Sequence, residues 1–140
     1  MAEMAKYCFT VDQLLREAGR RRSSKKCDAN NDADHVVELQ FVVAALNTLP
    51  NGTYWRDDWK GQLVDFFNKD INLDCIPSKE NQEKRVAVKR FIDGKPLSET
   101  QLEFVQRMKR RWLAIRSAMT GFERFENAVD RLLKDVSVEI

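Results

Sequence analysis

Asn72-Leu73-Asp74-Cys75-Ile76-Pro77-Ser78-Lys79-Glu80-Asn81-Gln82-Glu83-Lys84 is the stretch whose reading decides the fold. Residues 71–76 have the length of a strand. Pro77-Ser78 then opens a helix, because proline tolerates the first turn of a helix but cannot donate inside a ladder. That helix runs to about Phe91, where Asp93-Gly94-Lys95-Pro96 ends it. A strand stepping directly into a helix carries Asn81 and Lys84, three residues apart, on one helix face.

Upstream lies Asp32-Ala33-Asp34-His35, which holds the only histidine of the chain. Residues 36–46 are almost continuously apolar, and periodicity alone does not separate a strand that becomes a helix from a buried helix. Pro50-Asn51-Gly52 is a turn. Trp55, Trp59, Leu63, Phe66 and Phe67 recur at helical spacing and predict an amphipathic helix over residues 57–68. Near the start, Thr10-Val11-Asp12-Gln13 fits a capping box for a short helix through Leu14, Leu15 and Ala18. Residues 20–31 are polar and read as a connector.

Toward the end, Ser98-Glu99-Thr100-Gln101 is a second capping box. It predicts a long helix burying Leu102, Val105, Met108, Trp112, Ile115 and Met119. Thr120-Gly121-Phe122-Glu123 resembles a third box, ahead of a helix burying Phe125, Val129, Leu132 and Val136. The fold class expected is α+β, predominantly helical, with one small strand pair.

A chain of 140 residues is one domain's worth of material. Formal net charge is only +2, so no global field marks a nucleic-acid binder. The charges are clustered, however. Arg20-Arg21-Arg22 with Lys25-Lys26, then Lys84, Arg85, Lys89 and Arg90, then Arg107, Lys109, Arg110 and Arg111 form three basic blocks. Local patches set the footprint on a polyanion. Cys8, Cys27 and Cys75 are odd in number and lack C-x-x-C spacing, which argues against a disulfide framework and a zinc knuckle. No apolar run is long enough for a membrane span, and no apolar signal core opens the chain. The expectation is therefore an intracellular, cytoplasmic or nuclear protein in a reducing setting.

The order Asp34-His35, then Asn72, then a turn into a helix with Asn81 and Lys84 resembles the HNH endonucleases of the ββα-metal (His-Me finger) superfamily. The DxDH start and the N-x8-N-x2-K ending look like the version found in the HNH domains of RNA-guided DNA nucleases. The resemblance covers roughly residues 27–90. It divides a single domain into residues 1–26, an N-terminal helix and basic connector; residues 27–94, an HNH-like core with a helical insertion; and residues 95–140, a C-terminal helical pair. Two departures stand out. The paired CxxC knuckles that brace many HNH proteins are missing, and the interval from His35 to Asn72 is long for a bare hairpin. The helix around Trp55–Phe67 is the expected insertion, and the flanking helices would supply the bracing.

The resemblance implies a division of labour. His35 would be the general base, since an imidazole exchanges protons near neutral pH. Asp34 and the carboxamide oxygen of Asn81 would ligate Mg²⁺ or Mn²⁺ as hard oxygen donors. Asn72 would hold the loop through backbone hydrogen bonds, and Asp32 would stand behind the ligands. Lys84, Arg85, Lys89 and Arg90 would contact phosphates. Successive strand residues point to opposite sides, so Asp34 and His35 share a site only where the strand twists, bulges or ends.

The implied activity is hydrolysis of DNA phosphodiesters, leaving 5′-phosphate and 3′-hydroxyl ends. RNA is the rival substrate, and an inactive HNH-like module binding nucleic acid or protein is the rival class. A monomer would nick and a homodimer could cut both strands; an inhibitor protein is compatible with a small freestanding nuclease, and no membrane partner is expected. Trp55, Trp59 and Trp112 are expected as core anchors, and Cys75 as a buried strand residue.

Overall fold

The computed structural model describes residues 27, 30–50 and 59–138. Within them, two short strands, β1 (Asn31–His35) and β2 (Leu73–Pro77), pair antiparallel, with Asn31 opposite Pro77 and His35 opposite Leu73. Five helices complete the order: α1 (Leu39–Leu46) and α2 (Trp59–Phe67) between the strands, then α3 (Ser78–Ile92), α4 (Glu99–Arg116) and α5 (Glu123–Leu133). The result is a mostly helical α+β fold with a two-stranded sheet. The expected helix at residues 14–19, the basic run Arg20–Lys26, the Asn51-Gly52 part of the turn and Trp55 lie outside the described residues.

The apolar run after His35 resolves into strand end and helix. β1 stops at His35, and α1 begins at Leu39, burying Leu39, Phe41, Val42, Val43, Ala45 and Leu46. Eight residues make a marginal helix alone, so burial on nearly every side is what holds α1. Glu38 precedes it without capping it, because its carboxylate is engaged elsewhere. Among the described residues two helices, α1 as well as the expected insertion α2, therefore lie between the strands.

β2 ends at Pro77 and α3 starts at Ser78, with no loop between them. Residues 71 and 72, expected as strand, instead form part of a 3-10 turn over Asp70–Asn72. The buried face of α3 changes character along its length. Asn81 and Lys84 face inward near its start, and Ala87 and Val88 one turn later. The first half of the helix thus buries polar groups beside the sheet, and the second half joins the apolar core. Gly94, at φ +70°, turns the chain where the helix ends; its N–H donates to Phe91 O at 3.1 Å and the Lys95 N–H to Arg90 O at 2.9 Å. A Cβ is disfavoured at that backbone angle, which is the usual reason for glycine there.

α4 starts at the Ser98 box with both reciprocal bonds present, 3.1 Å from Gln101 N–H to Ser98 Oγ and 3.0 Å from Ser98 N–H to Gln101 Oε1. Its buried stripe is Phe104, Val105, Met108, Trp112 and Ile115, with Met119 buried just beyond the helix. Leu102, expected in the stripe, is 39% exposed because it lies in the first turn, before α4 reaches the core, and Phe104 fills the inward position. The third capping box does not form. Phe122 stands at the N-cap position with no side-chain cap, after Gly121 at φ +86°. α5 buries Phe125, Val129 and Leu133, while Leu132 points outward.

Trp112 anchors the core as expected. Its ring stacks near Phe67 at 6.5 Å and meets Phe125 edge-on at 5.9 Å, tying α4 to α2 and α5. The indole N–H donates to Asp130 Oδ1 at 2.9 Å, so its one polar atom is satisfied. Arg111 binds α4 to the sheet, donating to both Asp74 carboxylate oxygens (3.1 and 2.9 Å) and to Ile71 O (2.8 Å).

The cysteine expectation is overturned. Cys27 and Cys75 form a disulfide across 48 residues, and Cys75 is an exposed rather than buried strand residue. Cys75 sits opposite Ala33, so the bridge fastens the segment ahead of β1 to β2. Spacing rules fail here because they read cysteines close in sequence, whereas this pair is brought together by strand pairing. No helix among the described residues is long and apolar enough to cross a membrane.

Candidate active site

The end of β1 solves the problem of alternation. Asp34 and His35 are successive, yet both line one cavity of about 510 Å³. They do so because the strand terminates at His35 and the chain turns toward α1. The turn is pinned by Val36 N–H, which donates to Asn72 O at 2.8 Å.

Asn72 is wholly buried and holds that turn with its side chain as well. Its Oδ1 accepts from Val37 N–H at 2.8 Å, and its Nδ2 donates to Val37 O at 3.2 Å and Phe67 O at 3.0 Å. One carboxamide thereby joins the exit of β1, the end of α2 and the entry to β2. A carboxylate cannot replace it, since two of its three bonds need an N–H.

His35 is half-buried, and its Nε2 lies 2.6 Å from Asn68 Oδ1. In a neutral ring, a carboxamide oxygen as acceptor places the proton on Nε2 and leaves the lone pair on Nδ1. Asn68 follows α2 directly and was not singled out from sequence. Its only signal there is a polar residue immediately after Phe66-Phe67.

Lys84 departs most from expectation. Its side chain is 2% exposed. Its ammonium hydrogen-bonds and ion-pairs with the Asp34 carboxylate, donates to His35 O at 2.5 Å, and lies 3.3 Å from Glu38 Oε2. A buried ammonium persists only when paired and hydrogen-bonded, and here three oxygens share it. Lys84 is therefore not an exposed phosphate clamp; it sits inside the protein as a cation in an oxygen cradle. Burial pushes the Asp34 carboxyl above the ordinary carboxylate value, with Lys84, His35 and Arg85 pulling it back. Glu38 is the second residue missed by sequence reading. A carboxylate between Val37 and Leu39, inside an apolar run, was the available signal.

Asn81 is 4% exposed and lies one turn before Lys84 on the same inward face of α3. Asp32 pairs with Ile76 through the backbone, and its side chain lies outside the described residues. Arg85, Lys89 and Arg90 line the cavity that Asp34 and His35 share. Lys89 also pairs with Asp93 at 3.1 Å, and the Arg90 guanidinium donates twice to Pro96 O, at 3.1 and 2.8 Å. Gln40 Nε2 reaches across from α1, donating to Arg85 O at 3.1 Å.

Among the described residues, no group of three or more His, Cys, Asp or Glu side chains gathers as a metal cage. The donor set expected here is a different one, a single carboxylate and a single carboxamide. Both are buried, on β1 and α3, and the carboxylate already holds a cation in the form of Lys84. Hard oxygens of this kind are what Mg²⁺ or Mn²⁺ take; here the Asp34 carboxylate is engaged by Lys84, and Asn81 is not among the residues that line the cavity of Asp34 and His35. No family model, no curated protein and no solved structure matches this chain.

Proposed function

We propose that this protein is a metal-dependent endonuclease of the HNH type, with β1, β2 and α3 forming a ββα-metal motif into which α1 and α2 are inserted. The observation that carries the reading is the meeting of the end of β1 with the inward face of α3. It unites Asp34 and His35 with the helix bearing Asn81 and Lys84, although Asp34 and Lys84 are 50 residues apart. The buried bonds of Asn72 across the turn support its part as loop brace.

In this reading Asp34, once released by Lys84, and Asn81 would hold Mg²⁺ or Mn²⁺, which would supply charge neutralisation at the scissile phosphate. His35 takes the proton of the attacking water on Nδ1, while Asn68 keeps the ring oriented through Nε2. Arg85, Lys89 and Arg90 surround the cavity and bind the phosphates on either side of the cleaved bond. DNA is the substrate the motif favours, and RNA offers the same bond to the same groups.

A second reading has an observation of its own. The Lys84 ammonium at Asp34 suits a module that binds nucleic acid or protein without cleaving, its metal position filled by its own lysine. Nicking of supercoiled plasmid by wild type and His35→Ala, each with Mg²⁺, Mn²⁺ or EDTA, separates the two. Cleavage that needs metal and vanishes with His35 is the expected result. No cleavage with either metal, or cleavage indifferent to His35, rejects the nuclease.

A further inference from the structure

We infer that the cavity beside His35 is a seat for one unpaired nucleotide, so that the preferred substrate is single-stranded or locally unpaired nucleic acid. The inference rests on the nuclease reading for the identity of the ligand and goes beyond it in naming the strand state.

The cavity's size comes first. About 510 Å³ falls within the roughly 300–1,000 Å³ of small-ligand pockets, here in a half-open cleft rather than a closed chamber. The phosphates of a duplex lie on a convex surface and its bases are stacked inside. A duplex docks on a surface or presents a groove; it fills such a cavity only by extruding a nucleotide, at a cost of a few kcal/mol. An unpaired strand avoids most of that cost.

The lining points the same way. Val86, 55% exposed, offers apolar contact from α3, with the edge of the buried Leu39 of α1 behind it. A string of phosphates has no use for them, whereas the face of a base does. Arg85, exposed on the helix beside Val86, carries a planar guanidinium of the kind that stacks on bases. Lys95 adds positive charge for a phosphate flanking the seated nucleotide, whereas Lys89 is shared with Asp93. Asp34 and His35 line the same space, so a nucleotide held there brings its own backbone to the reacting groups.

The test uses the full chain in EDTA, where binding is read without cleavage. Fluorescence anisotropy compares a labelled DNA single strand with a duplex of the same sequence at one salt concentration. Wild type should bind the single strand about tenfold more tightly, the order expected from one well-seated base. Val86→Gln and Arg85→Lys, both at exposed helix positions, should each reduce that preference severalfold. Equal affinity of wild type for the two forms, or a preference that survives both substitutions, overturns the inference. Cleavage of plasmid is scored separately. Metal-dependent cleavage without single-strand preference would reject this inference alone, and single-strand preference without cleavage would reject the nuclease alone.

Discussion

The Lys84 ammonium and the Asp34 carboxylate meet in the interior with side-chain exposures of 2% and 8%, from positions 50 residues apart. The pair joins α3 to the end of β1. It also gives the cradle formed by Asp34, Glu38 and the His35 carbonyl the one cation it holds. Removing one partner of a buried pair strands the other charge, at a cost of about 3–5 kcal/mol. Lys84→Met should therefore lose that much in urea denaturation with EDTA present. On the proposed metal site a divalent ion would compete with the ammonium for the same carboxylate, so Mn²⁺ should raise the melting temperature of Lys84→Met more than that of wild type, by ligand linkage. An equal rise in both proteins would mean that the metal binds away from Asp34.

Asn72 makes a second large claim on stability among the site residues. Asn72→Ala leaves Val37 N–H, Val37 O and Phe67 O without their side-chain partner in a fully buried place. At roughly 1–3 kcal/mol for each unmet buried group, the loss should be about 3 kcal/mol or more in urea denaturation. Asn72→Asp should be no better, since it sets a carboxylate against two carbonyl oxygens. A loss under about 1 kcal/mol for both variants would remove Asn72 from the role of brace.

The chemistry assigned to His35 gives a graded series. His35→Ala removes the base and should lower the cleavage rate by about 10²–10⁴-fold. Asn68→Ala removes the partner of Nε2 while keeping the base, so it should lower kcat by about tenfold with KM little changed. A change confined to KM would instead assign Asn68 to substrate binding.

The parts of this arrangement that sequence makes legible are the local ones. The Ser98 box announces itself because both of its hydrogen bonds are made within four residues. The step from β2 into α3 is read from Pro77-Ser78 for the same reason. Leu102 and Leu132 show where periodicity fails. Each lies near a helix end, where the neighbouring element, rather than the average stripe, decides which side faces inward. Lys84 reads as a surface cation until β1 brings Asp34 against it. Glu38 is marked only by being a carboxylate in an apolar run. The partners of Asn72 are not readable residue by residue; the expectation that it braces a loop comes from the resemblance, and its buried bonds agree with that expectation.

Glu126, on α5, is nearly buried, and burial pushes its carboxyl above the ordinary value of 4.5. Arg116 offsets part of this, while Asp130 and Glu123 add to it. The sign of the linkage follows. The unfolded carboxyl ionises more readily than the folded one, so the native state holds the extra proton between the two pKa values. The group's favourable contribution is complete below 4.5 and is lost as pH rises through the folded value. Glu126→Gln should then stabilise the protein at pH 7 to 8 relative to wild type, and that advantage should disappear on acidification below the unfolded value. Melting temperatures across this range measure it. A constant difference at every pH would assign the effect to packing rather than ionisation.

The Cys27–Cys75 bridge closes a loop whose ends are 48 residues apart, spanning β1, α1 and α2. Chain-entropy arguments give such a cross-link up to about 4 kcal/mol, acting on the unfolded state. Reduction should lower the urea midpoint of wild type correspondingly. The double substitution Cys27→Ser with Cys75→Ser should match reduced wild type and be indifferent to reductant. With three cysteines in the chain and two in the bridge, one thiol should titrate after unfolding without reductant, and three after reduction. The bridge holds the segment ahead of β1 at Cys75, across from Ala33, and Asp34 is the next residue. Its loss should therefore loosen the β1 end of the site as well, reducing cleavage by the oxidised protein's standard even where the fold survives. Three free thiols in the unreduced protein would remove the bridge from this account and leave β1 held by its pairing with β2 and by Asn72.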